Sequence, residues 1–216
     1  MFRNQIMCGE SQHLLSALPE NSVDLVVTDP PYLISYKDSF GRKVRNDDNP
    51  DGVLPVFNEI ARVLKPESYC ISFYGWSAIA QFVNCWQEAG LRIVGHLVWP
   101  KGYARRAGHV RFAHEAAYVL AKGYPDFPEK PLNDVQRWIY SGNASHPTQK
   151  AVQVIKPLIQ AFSRPGDLVL DPFSGSGTTA IAAALSGRDY LGIELEPGYC
   201  TLARNRLASV HLPKAV

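Results

Sequence analysis

The sequence predicts a doubly wound α/β fold built on a largely parallel sheet. Short apolar strands alternate with helical segments along the chain, and two of these strands end in the same dipeptide, Asp-Pro. Alternation of this kind produces parallel sheets covered by helices on both faces. With 216 residues and 46% hydrophobic content, the chain is long enough to bury the core of one such domain. We therefore expect residues 1–216 to form a single domain.

The elements follow from hydrophobic periodicity and from the residues that interrupt it. The helix predicted after residue 52 has Val56, Phe57 and Ile60 on one face, and the last helix has Pro197 in its first turn. A turn is predicted at Arg164-Pro165-Gly166-Asp167 from its composition. The predicted strands cover residues 23–28, 68–74, 91–99, 115–122, 167–171 and 189–194, and the predicted helices cover residues 52–64, 78–88, 150–162, 180–185 and 197–208.

The first candidate site is the tetrapeptide Asp29-Pro30-Pro31-Tyr32, which follows the first of these strands. Two successive prolines remove two backbone donors and fix two φ angles, so the turn is stiff. It holds a carboxylate, backbone carbonyls and an aromatic ring, which suit a planar group that carries an NH2. The alternative is an ordinary Pro-Pro turn followed by a core tyrosine.

The second candidate site begins with Asp171 at the end of another strand. The loop Pro172-Phe173-Ser174-Gly175-Ser176-Gly177-Thr178-Thr179 follows, and then an alanine-rich helix. A strand, a glycine loop and a helix form the nucleotide-binding arrangement of doubly wound folds. Glu194 ends the next strand, nineteen residues after Gly175. An acid at this place can accept hydrogen bonds from both hydroxyls of a ribose.

The glycine loop also matches the dinucleotide pattern G-x-G-x-x-G/A, so NAD is an alternative ligand. The carboxylate of Asp171 would repel a pyrophosphate and attract an ammonium group. S-adenosylmethionine has a ribose, an ammonium and a sulfonium but no phosphate, and the loop therefore favours this cofactor. A purely structural glycine turn is the remaining alternative.

Together the two motifs resemble those of the amino-group DNA methyltransferases of the β class, in which the catalytic motif also precedes the cofactor motif. His146-Pro147-Thr148-Gln149-Lys150 is similar to the family's H-P-T-Q-K-P, with Ala151 in place of the last proline. Gly9-Glu10 stands where the family commonly has Gly-Asp. The resemblance extends to the lead-in at residues 18–24 and to the closing pattern around Gly192-Ile193-Glu194-Leu195.

The resemblance implies a Rossmann-like fold that uses S-adenosyl-L-methionine, with DNA as the partner and no metal. It implies that Asp29 and the carbonyl of Pro30 accept hydrogens from the amino group of a flipped base while Tyr32 stacks on the ring. The implied catalytic residues are Asp29, Pro30, Pro31 and Tyr32. The implied cofactor-binding residues are Glu10, Asp29, His146, Thr148, Gln149, Lys150, Asp171, Phe173, Ser174, Gly175, Ser176, Gly177, Thr178, Thr179 and Glu194.

The net charge of +2 is too small to indicate nucleic-acid binding, but the basic residues are clustered. Two acid-poor segments, within residues 33–55 and 100–145, are predicted to be loops that contact DNA phosphates. The alternative is a pair of solvated loops. The candidate DNA-binding residues are Lys37, Arg42, Lys43, Arg45, Lys101, Arg105, Arg106 and Arg111.

The resemblance implies an enzyme that methylates the N6 amino group of adenine in DNA, because Asp at the first motif position is more typical of the adenine enzymes of this family. N4-cytosine methylation is the alternative, as are RNA or a protein amide as substrate and a non-catalytic nucleic-acid-binding module. We expect no signal peptide, no membrane span and, from four scattered cysteines, neither disulfides nor zinc. A cytoplasmic protein of a bacterial, phage or plasmid restriction-modification context is expected, either monomeric or homodimeric.

Overall fold

The structure is a computed structural model that describes residues 2–35, 41, 45–107, 109–140 and 149–210, with the backbone alone at 105–107. None of the helices in this part of the chain has both the length and the apolar composition that a membrane crossing needs. The strands are β1 (Gln5–Cys8), β2 (Val23–Thr28), β3 (Leu64–Phe73), β4 (Leu91–Ala107), β5 (Val110–Lys122), β6 (Leu168–Asp171) and β7 (Asp189–Glu194). The helices are α1 (Ser11–Ser16), α2 (Val56–Val63), α3 (Ile79–Glu88), α4 (Val152–Phe162), α5 (Thr178–Ala184) and α6 (Pro197–Ala208).

Within the described residues, the seven strands form one sheet in the order β1-β7-β6-β2-β3-β5-β4. The first five strands in this order are parallel, and β5 runs antiparallel to both β3 and β4. The predicted doubly wound, largely parallel sheet is therefore confirmed. Its parallel strands bring the carboxyl ends of β2, β6 and β7 to one edge, where ligands bind in such folds.

Helices cover both faces of the sheet, which explains why Leu25, Val26 and Val27 of β2 are apolar in succession. On one face Val26 packs in a cluster with Phe57 of α2 and Phe82 of α3. On the other face its neighbour Val27 packs in a cluster with Leu158 of α4. Successive residues of a strand point to opposite faces, so a strand buried on both sides is apolar at every position.

The largest departure from the predicted elements is the β4–β5 hairpin. Residues 100–111 were expected to be a loop because they contain glycine and several basic residues, and this expectation is wrong. β4 continues to Ala107 and β5 begins at Val110, with an irregularity between Pro100 and Arg105. Pairing between the two strands stabilises both, although neither has an apolar pattern of its own in this region.

Smaller differences lie at element ends. The helix predicted from residue 52 begins at Val56, because residues 50–52 form a separate 3₁₀ turn and Pro55 precedes the helix. β3 begins at Leu64, before the predicted start at residue 68. The closing helix, α6, has the predicted bounds.

Candidate active site

The two Asp-Pro motifs lie side by side because their strands are neighbours. β2 and β6 pair in parallel, with Leu25 opposite Val169 and Val26 opposite Leu170. Asp29 follows the last residue of β2, and Asp171 is the last residue of β6. Both carboxylates therefore emerge at the same edge of the sheet.

The carboxylate of Asp29 accepts hydrogen bonds at both of its oxygens. The hydroxyl of Tyr32 donates to Oδ1 at 2.8 Å, and the ammonium of Lys150 donates to Oδ2 at 2.6 Å. Lys150 also lies 3.1 Å from the Tyr32 hydroxyl oxygen. The Lys150 side chain is 7% exposed and that of Asp29 is 23% exposed. The pair thus lies inside the protein, with Asp29 on the side that opens to solvent.

Glu115 of β5 belongs to the same cluster, although it lies outside every motif recognised in the sequence. Its Oε2 atom lies 3.3 Å from the Tyr32 hydroxyl and 3.8 Å from Nζ of Lys150, and its Oε1 atom is paired with Lys101 of β4. Charges of alternating sign therefore extend from Lys101 to Asp29. A single acid at the start of the apolar run Ala116 to Ala121 was the feature that could have indicated this residue.

Burial and neighbouring charges shift the titration of this cluster. Burial raises the pKa of Asp29, and Lys150 opposes the shift. Burial alone would raise the pKa of Glu115, but Lys150 and Lys101 hold it below its usual value. Burial alone would lower the pKa of Lys150, but Asp29 and Glu115 raise it. Lys150 therefore carries its charge at neutral pH, beside the carboxyl groups of Asp29 and Glu115.

Tyr32 is fixed by close packing as well as by hydrogen bonds. A Cβ atom at Gly75, just after β3, would lie 2.7 Å from both the Cβ and the backbone oxygen of Tyr32. A side chain at Gly75 would therefore displace the aromatic ring. Burial, with the nearby charges of Asp29 and Glu115, raises the pKa of Tyr32 well above its ordinary value. The phenol stays protonated and can donate its hydrogen bond.

The glycine loop is held by the carboxylate of Glu194. The N–H of Gly175 donates to Oε2 and the N–H of Glu196 donates to Oε1, each at 2.8 Å. Gly177 has a φ of 82°, and a Cβ there would meet the Cβ of Ala203 at 2.9 Å. Glycine is therefore required at position 177 both for its backbone conformation and for the close approach of α6.

Asp171 differs from Asp29 in its partners. Its Oδ1 atom accepts the N–H of Phe173 at 3.1 Å, and it forms no ion pair with any described residue. Burial raises its pKa to about 7, although hydrogen bonds from Thr179 and Phe173 oppose the shift. Burial likewise raises the pKa of Glu194, against hydrogen bonds from backbone N–H groups. Asp171 is therefore an acid whose charge changes near neutral pH.

A cleft of about 620 Å³ connects the two motifs. Asp29, Pro30, Pro31 and Tyr32 line one part, whereas Phe173, Gly175 and Glu194 line another. Glu10 also lines it, while its carboxylate accepts the N–H groups of Gln12 and His13 at the start of α1. A second space of about 50 Å³ is lined by Asp29 and Asp171, by the end of the segment 146–150 and by the glycine loop. The lining residues of this smaller space include Gln149, Lys150, Asp171, Ser174, Ser176, Thr178 and Thr179.

The predicted DNA-binding residues are dispersed. Lys101 was expected to be free of acids on a loop, but it lies on β4 with its ammonium paired to Glu115, beside the candidate catalytic residues. Arg111 is exposed on β5, and Arg45 lines the cleft 3.3 Å from the carboxylate of Glu196. Arg105 and Arg106 lie on β4. Lys37, Arg42, Lys43, His146 and Thr148 lie outside the described residues.

Comparison with known proteins identifies the family of this chain. Residues 23–205 match the family model described as DNA methylase. The chain is 46% identical over 202 residues to YubD of Escherichia coli (strain K12), which is named as a methylase, and the match covers 94% of this chain and 89% of that protein. It is 30% identical over 243 residues to the DNA adenine methyltransferase YhdJ of the same organism, with 94% and 82% coverage.

Solved structures of DNA methyltransferases have the same fold. TTHA0409 of Thermus thermophilus, solved with S-adenosyl-L-methionine, is 25% identical with a TM-score of 0.72, and the match covers 95% of each chain. The cytosine-N4-specific PvuII DNA methyltransferase is 19% identical with a TM-score of 0.75, and the match covers 98% of this chain and 87% of that one. The fold and the cleft thus define a Rossmann-like methyltransferase. The chain belongs to the DNA methylase family of N6/N4 amino-methyltransferases.

Proposed function

We propose that the protein transfers a methyl group from S-adenosyl-L-methionine to the N6 amino group of adenine in DNA. The observation that carries this proposal is the carboxylate of Asp29, held beside the Tyr32 ring in a cleft that continues to the glycine loop. Its two hydrogen-bond donors, Tyr32 and Lys150, leave room on the carboxylate, which has about four lone-pair sites. A further donor from a substrate amino group can therefore bind there.

The cofactor of the family is S-adenosyl-L-methionine, and the acceptors of the cleft fit it. Three carboxylates, those of Glu10, Asp171 and Glu194, surround the glycine loop or line the cleft. Acids suit the hydroxyls, amine and ammonium of this cofactor, and they would repel the phosphates of NAD. Asp171 would meet the ammonium group, Glu194 the ribose and Glu10 the adenine amino group. The bound cofactor supplies an electrophilic methyl group on a sulfonium.

The chain's own residues would act on the target base. Tyr32 stacks on the flipped ring, and its position is fixed by Gly75. Asp29 and the carbonyl of Pro30 accept the two hydrogens of the NH2 group, which directs the nitrogen lone pair out of the ring plane. Conjugation makes this amine a poor nucleophile, so orientation by fixed acceptors contributes to the rate. As the N–C bond forms and the C–S bond breaks, the nitrogen becomes cationic, and Asp29 is placed to take its proton.

Lys150 has a role in this scheme that differs from the one its motif implied. Its ammonium lies against Asp29 in a site that disfavours charge. A neutral Asp29 would be a weaker acceptor and could not take the proton. Lys150 would therefore keep this carboxylate ionised, with Glu115 as its second counter-ion.

The choice of adenine is supported by Asp29 and by the similarity to YhdJ, which is named as an adenine enzyme. N4-cytosine methylation is the second candidate, because PvuII, with a similar fold, is named as cytosine-N4-specific. Both bases present the same NH2 group to Asp29. For DNA binding, Arg111 and Arg45 are exposed and can lie near phosphates, with Arg105 and Arg106 on the same hairpin as Arg111.

One assay separates these candidates. The protein is incubated with DNA and methyl-labelled S-adenosylmethionine, the DNA is digested, and the labelled nucleoside is identified. We expect the labelled nucleoside to be N6-methyl-2′-deoxyadenosine. Labelled N4-methyldeoxycytidine would identify cytosine, and not adenine, as the target base. The absence of label from DNA despite cofactor binding would refute the proposed function.

A further inference from the structure

Two aromatic rings are stacked on the protein surface beside the candidate active site. Trp76 and Phe112 lie with ring centroids 5.2 Å apart and an interplanar angle of 27°. Trp76 is 61% exposed, whereas Phe112 is half-buried beside it. The sheet buries large apolar side chains on both of its faces, so a tryptophan left in water at this place is not part of a core. We call Trp76 and Phe112 the exposed stack.

The exposed stack is tied to Tyr32 by the backbone. Trp76 follows Gly75, whose α-carbon packs directly against the Tyr32 side chain. Phe112 lies on β5, three residues before Glu115, whose carboxylate lies 3.3 Å from the Tyr32 hydroxyl. Two separate connections therefore fix the exposed stack relative to the ring that would hold the target base.

The charge around the exposed stack favours nucleic acid. Arg111 precedes Phe112, is exposed and forms no ion pair with any described residue. Directly across the hairpin, Arg106 pairs with Arg111 and Arg105 with Phe112 in the strand register. Aromatic faces beside arginine side chains are the combination by which proteins hold unstacked bases and their phosphates.

We propose that the exposed stack binds a nucleobase of the DNA strand that flanks the target nucleotide. This inference rests on the proposed function and adds a second base-binding position to it. When the target base leaves the helix, its neighbours lose a stacking partner. The face of Trp76 replaces that partner, and Arg111 contacts the adjoining phosphate. Because every base has an aromatic face, this contact favours an unstacked neighbour without selecting its identity.

The test compares three kinds of variant: one that removes the ring at position 76, one that keeps an aromatic ring there, and one that removes an exposed ring elsewhere on the surface. Trp76→Ala should weaken binding to a DNA oligonucleotide by about 5- to 150-fold, while Trp76→Phe should recover most of that loss. The slope of log affinity against log salt should not change in either variant, because no phosphate contact is lost. Arg111→Ala, in contrast, should reduce that slope by about 0.7–0.9. The matched control is Phe127→Ala, because Phe127 is 94% exposed and lies beyond the opposite end of β5.

A spectroscopic measurement accompanies the binding data. DNA should quench tryptophan fluorescence in the wild-type protein, and much of that quenching should disappear in Trp76→Phe. Wild-type DNA affinity in Trp76→Ala would overturn the inference. A change in sedimentation with unchanged DNA affinity would also overturn it, by assigning the exposed stack to a contact between two copies of the chain. Failure of the wild-type protein to methylate DNA would instead refute the proposed function, since DNA affinity is measured without turnover.

Discussion

The strand ends at Asp29 and Asp171 place the same side chain in two different electrostatic environments. Both aspartates precede a proline, and their strands are neighbours in the sheet. Asp29 has an ammonium at 2.6 Å, whereas the donors that Asp171 finds among the described residues are uncharged. The backbone thus brings a carboxylate to each position, and the neighbouring residues decide whether it is charged. At Asp29 the ammonium of Lys150 opposes the rise in pKa that burial causes, whereas the pKa of Asp171 is raised to about 7 and its charge changes near that pH.

The largest effect is expected from Asp29→Asn. The amide keeps the shape of the side chain but cannot take the proton of the target amine, so kcat should fall about 10²- to 10⁴-fold. The dissociation constant of S-adenosylmethionine should stay within a few-fold of wild type. Single-turnover methylation and calorimetric binding measure the two quantities.

Asp24→Asn is the matched control for this variant. Asp24 lies on the same strand, β2, and is also paired with a lysine, Lys65, at 2.5 Å. Its pair lies away from the cleft, so kcat should change little. Equal losses in the two variants would mean that Asp29 acts on stability and not on the reaction.

Lys150→Met tests whether the ammonium maintains the charge of Asp29. Removing an opposite charge at this distance raises the pKa of a carboxyl group, so the acidic limb of the kcat profile should move to higher pH. At pH 7 we expect a loss of about 10- to 100-fold that diminishes as the pH increases. Lys65→Met, which breaks the more exposed pair, is the control. An unchanged pH profile would show that Lys150 does not govern the ionisation of Asp29.

Asp171 should make cofactor affinity depend on pH. Its raised pKa means that the carboxyl is neutral below about pH 6 and ionised above about pH 8. Affinity for the cofactor ammonium should therefore increase through pH 7. Asp171→Asn should remove this dependence and weaken binding at pH 8 by roughly 10- to 150-fold, since a charge-assisted hydrogen bond contributes about 1.5–3 kcal/mol. If the affinity of Asp171→Asn for the cofactor still increased through pH 7 as in the wild type, Asp171 would not be the residue that binds the ammonium.

The same substitution has an opposite effect on the free protein. Because the folded pKa of Asp171 exceeds the value of an unfolded aspartate, this group stabilises the folded state at low pH and loses that contribution as the pH rises towards 7. Asp171→Asn should thus have a higher free energy of unfolding than wild type at pH 8. The difference should shrink at pH 5, as urea denaturation can measure.

The smallest effect is expected from Glu115→Gln. In this variant Asp29 remains as the partner of Lys150, so the carboxylate proposed to bind the target amine is kept. We expect kcat to fall by about 3- to 10-fold, because Lys101 and Lys150 each lose the Glu115 carboxylate as a partner. Glu59→Gln, which removes the partner of Arg62 on α2, provides a control outside the cleft. A loss as large as that of Asp29→Asn would make Glu115 a principal residue of the site.

The sequence was sufficient to predict the two strand ends because each is encoded locally. An apolar run followed by Asp-Pro predicts both the strand and the carboxylate that follows it, as β2 and β6 confirm. The parallel arrangement of the two strands then follows from the alternation of helices and strands. The distances between side chains of the site could not be predicted from the local sequence, because they depend on which strands pair in the sheet.

The β4–β5 hairpin shows what local pattern misses. Lys101 and Glu115 are fourteen residues apart, and only antiparallel pairing of the two strands brings them together. Lys150 enters the same cluster from a segment 121 residues beyond Asp29. A basic segment without apolar periodicity indicated a loop, whereas cross-strand pairing made it a strand.

The order of the sheet has a consequence for the synthesis of this protein. Strands β6 and β7 come late in the chain, yet they lie between β1 and β2. Until residues 168–194 have left the ribosome, β2 has an unpaired edge that carries Leu25, Val26 and Val27, all fully buried in the finished sheet. Such edges favour aggregation. A nascent chain halted before Leu168 should therefore need chaperone protection that the completed chain does not.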